Sequence, residues 1–137
     1  MKQKISTLII LLAIGIMPLI QSCRKYPDGP LISFHSRTER VCNTWRVENY
    51  QKNGTDYTSQ MAGYSETYTK AGNYSYVWGS IAGTGVWAFT DNDADIQLTG
   101  LTNQQTHTLV ILKLEQKEFW YYYMDGNDRH EFHMVPN

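Results

Sequence analysis

The chain has 137 residues, with 12 lysines and arginines against 13 aspartates and glutamates and a formal net charge of −1. That length suits one domain, and the near-neutral balance excludes the basic stripe that a phosphate-rich partner requires, so nucleic acid is not an expected partner. Ten tyrosines and four tryptophans stand against four phenylalanines, which favours rings that combine apolar area with a polar tip needing a partner when buried.

At the amino terminus Lys2 and Lys4 precede an apolar run from Leu8 to Ile20. A cationic start, roughly 13 apolar residues and a small residue at the cut form the secretory pattern. A spanning helix needs about 20 apolar residues, and Pro18 and Gln21 cut this run short. The segment Leu19-Ile20-Gln21-Ser22-Cys23 resembles the lipobox of a bacterial lipoprotein. The resemblance implies removal of residues 1–22 and a lipid on Cys23, and two or more acyl chains make such an anchor stable. Arg24 stands where an aspartate resembles an inner-membrane retention signal, and no acidic export run follows. The expectation is therefore the outer membrane, on its periplasmic face ahead of the cell surface. Lys2 and Lys4 leave with the signal, so the mature chain carries about −3. With Cys23 lipidated, Cys42 has no partner in the chain. Its place beside Val41, at the edge of the first apolar strand, predicts a buried, inert thiol.

Residues 23–35 read as the lipidated terminus and its tether, because Tyr26-Pro27-Asp28-Gly29-Pro30 is dense in turn formers. Leu31 to Phe34 reads as a short docking segment. Ser36 and Glu39 have capping-box spacing and predict a helical turn over Ser36 to Val41. From there to the end, short runs rich in Tyr, Trp, Thr, Val and Ile alternate with turn signals. The predicted strands are Thr44–Gln51, Tyr64–Lys70, Tyr74–Gly79, Val86–Thr90, Asp95–Thr99, Thr106–Leu114, Phe119–Met124 and His130–Val135. Asn53-Gly54, Ala71-Gly72-Asn73, Asp91-Asn92-Asp93, Glu115 to Glu118 and Asp125 to Asp128 serve as turns, Gly79 to Gly85 as a glycine-rich link, and the stretch before Thr106 as a polar loop. Short links between strands predict an antiparallel meander, and closing it into a barrel over residues 36–137 removes the exposed edges. Alternation places Tyr74, Tyr76 and Trp78 on one face, as it does Trp87 with Phe89, Ile96 with Leu98, and Phe132 with Met134. Phe119 to Tyr123 is aromatic on both faces, and one side of it is expected to lie under the N-terminal segment.

Three stretches look like one family. Val41 to Val47, with Trp45 after a small-residue turn, resembles the opening strand of lipocalin-like domains. Tyr68 to Tyr74 resembles the second hairpin of the short lipocalin-like lipoproteins common in Bacteroidetes. Gly85-Val86-Trp87-Ala88-Phe89 resembles their Gly-x-Trp-x-Phe strand, and Leu109 to Leu114 with the following hairpin is similar to the end of the pattern. The resemblance implies an all-β antiparallel barrel of about eight strands. Such a barrel either holds one small ligand or fills itself with side chains. The many tyrosines and tryptophans, in a chain shorter than a true lipocalin, favour a filled or nearly filled interior.

Motifs of chemistry are sparse. Asp91, Asp93 and Asp95 have the spacing that opens a calcium loop, but Ile96 and Thr102 occupy the positions that need glycine and glutamate. His130 and His133 fall on opposite faces of a strand, and Glu131 with His133 makes two ligands, too few for a metal site. No nucleophile elbow, metalloprotease motif or phosphate-binding loop occurs. No catalytic residue, metal ligand or cofactor is therefore expected, and His107 reads as a strand-face residue. The expected function is a membrane-anchored binding protein for a small hydrophobic or amphipathic molecule, with Tyr68, Tyr76, Trp78, Trp87 and Tyr121 as its lining. The alternative is an accessory lipoprotein with a filled barrel that docks on an envelope protein complex or inhibits an enzyme, using exposed aromatics such as Tyr57 or Tyr122.

Overall fold

A computed structural model describes residues 26–29, 33–100 and 106–137. The expected signal segment, Cys23, Arg24, Lys25, residues 30–32 and residues 101–105 of the polar loop lie outside the described residues.

The helical turn forms where the capping box predicts it, as α1 (Arg37–Val41). The Ser36 hydroxyl accepts the Glu39 N–H at 3.1 Å, and the Glu39 carboxylate accepts the Ser36 N–H at 2.9 Å. Two amides that the first turn leaves unpaired are thereby satisfied. Beyond it come β1 (Thr44–Lys52), β2 (Thr55–Asp56), β3 (Tyr64–Tyr68), β4 (Asn73–Trp78) and β5 (Ile81–Thr90). Then follow β6 (Asp95–Thr99), β7 (His107–Leu114), β8 (Phe119–Asp125) and β9 (Asp128–Pro136). Each of β3 to β9 pairs antiparallel with the next, β3 pairs with β1, and β9 returns to β1 from Trp45↔Pro136 to Lys52↔His130. Eight strands thus close into a barrel with no free edge, and β2 adds a two-residue pairing on the end of β1. Asn53 and Gly54 make that tight turn with φ of 52° and 79°, the left-handed pair that a two-residue hairpin demands.

Two local expectations are corrected. The glycine-rich stretch from Gly79 to Gly85 is strand beyond the Gly79-Ser80 turn: β5 begins at Ile81 and pairs Gly83 with Tyr76 and Gly85 with Tyr74. Both glycines sit on the inward face shared by Trp87. A Cβ on Gly83 would lie 2.3 Å from Tyr76 Cε1, so the missing side chain is what lets the ring lie across the strand. The outer face of β8 is covered, among the described residues, by side chains of its neighbouring strands and not by residues 26–29 of the N-terminal segment. Trp120 stacks on His133 with centroids 4.1 Å apart and planes 4° from parallel, and the Lys113 ammonium sits 4.5 Å from the Trp120 ring. Tyr122 lies under the Arg129 guanidinium at 3.9 Å. Long side chains of the neighbouring strands β7 and β9 reach these rings first.

The described part of the N-terminal segment instead closes one end of the barrel. The Tyr26 hydroxyl donates to the Asp93 carbonyl at 2.9 Å, and the Asp28 N–H donates to the Leu112 carbonyl at 3.0 Å. Arg37 pairs with Asp93, and the buried Arg40 donates from Nη1 to the Leu114 carbonyl at 2.7 Å. Under this plug the barrel is solid: Trp45, Tyr68, Ile96, Leu114, Phe119 and Met134 are fully buried. The Trp45 indole N–H donates to the Val41 carbonyl at 2.8 Å, which ties α1 to the core. Cys42 follows α1, half-buried, and burial pushes its thiol above the usual range. Cys42 is thus less buried than its place beside Val41 leads one to expect, and a thiol held neutral is a weak nucleophile.

A half-open aromatic cavity with a buried carboxylate

At the opposite end the side chains stop short of the axis and leave a cavity of about 610 Å³. Tyr76, Trp78 and Ile81 form one wall at the β4–β5 hairpin, and Leu98, His107 and Leu109 form the next on β6 and β7. Tyr121, Tyr123 and Phe132 complete it on β8 and β9, and Met61 joins them from the 3-10 turn Thr58–Met61. Trp78 is 40 % and Ile81 56 % exposed, so the β4–β5 hairpin is the apolar rim of the mouth. The expected filled interior holds for the plugged half of the barrel only. The volume lies inside the roughly 300–1,000 Å³ typical of small-molecule sites.

Glu66 belongs to the lining of this cavity yet is only 2 % exposed. It stands on β3 between Tyr64 and Tyr68, and the period of two turns all three inward. Its Oε1 accepts the hydroxyls of Tyr64 at 2.6 Å, Tyr121 at 2.9 Å and Tyr74 at 3.1 Å, and its Oε2 accepts Tyr68 at 2.9 Å. A protonated carboxyl would give one hydrogen and force a phenol to turn its own proton elsewhere, whereas the ionised group is acceptor-only and takes all four. The 2.6 Å contact has the length of an O–H···O⁻ bond. Burial raises the Glu66 carboxyl above its ordinary range, and the bonds from the four tyrosines offset only part of that rise. The same burial, reinforced by the Glu66 charge, raises Tyr64, Tyr68, Tyr74 and Tyr121 well above the ordinary phenol range. Their protons are thus held firmly on the phenols and directed at the carboxylate.

Three of the five residues expected to line a ligand site, Tyr76, Trp78 and Tyr121, meet at the cavity. Tyr68 and Trp87 do not. Tyr68 is sealed in the solid half against Phe119, at 5.7 Å between centroids, and reaches the site only through its hydroxyl on Glu66. Trp87 is buried below, with its indole N–H donating to the Thr69 carbonyl at 2.9 Å. Both face inward, as alternation requires, but at a height where the barrel is full. The two aromatics expected on the outside divide as well: Tyr57 is 38 % exposed, while Tyr122 is half-covered by Arg129.

Glu66 itself escaped the sequence reading. The signal was Tyr64-Ser65-Glu66-Thr67-Tyr68, a carboxylate flanked at two residues on either side by aromatics of an inward face. The two histidines fall on opposite faces of β9, as alternation requires. His133 and Glu131 share the outer face with Nε2 and Oε1 2.9 Å apart, and His130 turns inward to bond the Tyr50 hydroxyl at 2.7 Å. Asp93 is engaged by Arg37 and Tyr26, and no group of three or more potential metal ligands occurs among the described residues. No family model matches the chain, and no curated protein matches it.

Proposed function

We propose that the protein is a membrane-anchored, lipocalin-like binding module that captures a small hydrophobic or amphipathic molecule in the open half of its barrel. The cavity of about 610 Å³, walled by aromatic rings with a few polar atoms at its base, carries this reading. Concave, mostly apolar sites with a small number of converging polar groups are where small molecules bind. The hollow half favours this reading over a docking protein with a filled interior. The lipobox-like Leu19 to Cys23 supplies the anchor, three residues ahead of Tyr26, which is docked on the plugged end of the barrel.

A thermal-shift and native mass-spectrometry screen against apolar and amphipathic small molecules tests the binding. A ligand at 100 times its Kd stabilises the fold by about 2.7 kcal/mol, and Trp78→Ala at the rim should weaken that shift while leaving the unliganded Tm nearly unchanged. A screen without a single stabilising compound removes the reading. Anchoring is tested separately: Cys23→Ser should move the protein from the membrane pellet to the soluble fraction, and continued sedimentation rejects the lipid anchor.

A further inference from the structure

The cavity is chemically one-sided. Among the described residues that line it, Glu66 is the one carboxylate, none is lysine or arginine, and His107 is the one imidazole. None of the ion pairs among the described residues involves Glu66. The protein thus buries a negative charge beside an open volume and answers it with hydroxyl dipoles only.

Where the protons lie sharpens this. Tyr64, Tyr74 and Tyr121 line the cavity, and each spends its hydroxyl hydrogen on Glu66. What their oxygens still offer a ligand is lone pairs. The base of the cavity therefore presents acceptors and negative potential, with its donors already committed. Above it, the faces of Tyr76, Trp78, Tyr123 and Phe132 surround the volume, and such faces attract cations. An alkyl carboxylate reaching the base meets the opposite: like charge, and no free donor on Tyr64, Tyr74 or Tyr121.

We infer that the cavity takes an organic cation, an apolar molecule bearing a protonated amine, with Glu66 as its counter-ion and the phenol oxygens of Tyr64, Tyr74 and Tyr121 as acceptors for its N–H groups. The inference rests on the reading of the cavity as a ligand site and adds the charge of the ligand. The amine enters past Trp78 and Ile81, its apolar body lies between the aromatic walls, and its ammonium stops at the tyrosine ring around Glu66. The charge of Glu66 and the phenol oxygens that accept the ammonium N–H groups together offset the cost of desolvating the amine.

Isothermal titration calorimetry of the full chain with two matched probe sets tests it: tryptamine, tryptophol and indole-3-propionate, then octylamine, octanol and octanoate. Within each set the amine should bind about tenfold tighter than the alcohol or better, which corresponds to roughly 1.4 kcal/mol, and the carboxylate should bind weakest. Glu66→Gln should bring amine and alcohol to within about twofold while keeping the alcohol. Alcohols or carboxylates binding as well as amines overturn the inference and leave the binding module standing. Failure of all six probes removes both. An amine preference that survives in Glu66→Gln also overturns it, by assigning the selectivity to the aromatic walls. The ranking is read on the unaltered chain, so it decides the matter even where the variant does not fold.

Discussion

The two halves of the barrel are built from the same strands and the same kinds of residue, yet one is solid and the other hollow. In the solid half Trp45, Tyr68, Phe119 and Met134 converge under α1 and Tyr26 and are almost wholly buried. In the hollow half Tyr64, Tyr76 and Tyr123 are equally large but stand back around a cavity of about 610 Å³. The difference comes from two local choices. Gly83 on β5 lets Tyr76 lie across the strand opposite it, and Glu66 draws the hydroxyls of Tyr64, Tyr74 and Tyr121 to one point. Aromatic content therefore does not decide whether a barrel is filled; the anchoring of each ring does.

The largest expected effect engages both halves together. Seven of the ten tyrosines are held above their ordinary range by burial: Tyr26 and Tyr123 to about 12, with Tyr50, Tyr64, Tyr68, Tyr74 and Tyr121 also raised. A phenol whose folded value exceeds its unfolded value of about 10 contributes stability that is complete below pH 10 and is lost as pH rises through the folded value. Unfolding should therefore become progressively easier between about pH 10 and pH 12. Absorbance at 295 nm should show most tyrosinate appearing in step with loss of the β-sheet circular dichroism signal. Free titration of all tyrosines at ordinary values with the fold intact would contradict the burial described above.

Next in size is the plug. Trp45→Ala deletes a fully buried ring that also bonds the Val41 carbonyl, and large-to-small changes of this kind cost about 3–5 kcal/mol. Trp78→Ala, at a rim position 40 % exposed, should stay within about 0.5 kcal/mol in the absence of ligand. Urea denaturation of the two variants side by side checks the contrast. Equal losses would mean that the hollow half is as structural as the solid one.

Much of this was legible in the chain before any coordinates. Capping-box spacing located α1, Asn53-Gly54 and Gly72-Asn73 marked turns, and period-two alternation assigned inward faces that the barrel keeps. Alternation reports which face a residue is on and not its height along the barrel, which is why Tyr68 and Trp87 were grouped with Tyr76 and Trp78. The glycines of β5 read as a link because a glycine's local preference is for turns, while its place here is set by a ring on the neighbouring strand. Glu66 was hidden for a related reason. A charged residue in a strand ordinarily points to water, and only the convergence of β3, β4 and β8 shows four hydroxyls meeting it.

Removing one of those four donors should cost less than Trp45. Tyr121→Phe keeps the ring and its stacking on Phe132 at 5.3 Å but takes away the 2.9 Å bond to Oε1. A hydrogen bond to a charged group contributes about 1.5–3 kcal/mol. Tyr64 and Tyr74 still serve the same oxygen, so the lower end of that range is expected, together with a Glu66 carboxyl raised further. Chemical denaturation gives the first quantity and carbon-detected NMR titration of the Glu66 side chain the second. A downward movement of that titration would show that Tyr121 does not donate to the carboxylate.

A small effect on stability should accompany a large one on binding at Gly83. Gly83→Ala places a Cβ 2.3 Å from Tyr76 Cε1 and 3.0 Å from its hydroxyl oxygen. These atoms are the far end of a side chain that rotates at the mouth, so the ring gives way and the backbone does not. Overpacking in a tight core costs typically 1–3 kcal/mol, but this ring has open volume beside it, and a loss under about 1 kcal/mol follows from that relief. The open volume beside Tyr76 is the cavity that a ligand would occupy, so a ring displaced into it competes with the ligand. The variant should accordingly fold with nearly the parent Tm and bind cavity ligands at least about tenfold more weakly, a difference of roughly 1.4 kcal/mol. A Gly83→Ala protein with unchanged ligand affinity would show that Tyr76 moves outward past the rim. The glycine would then serve strand pairing alone, and the hollow half would owe its shape to Glu66.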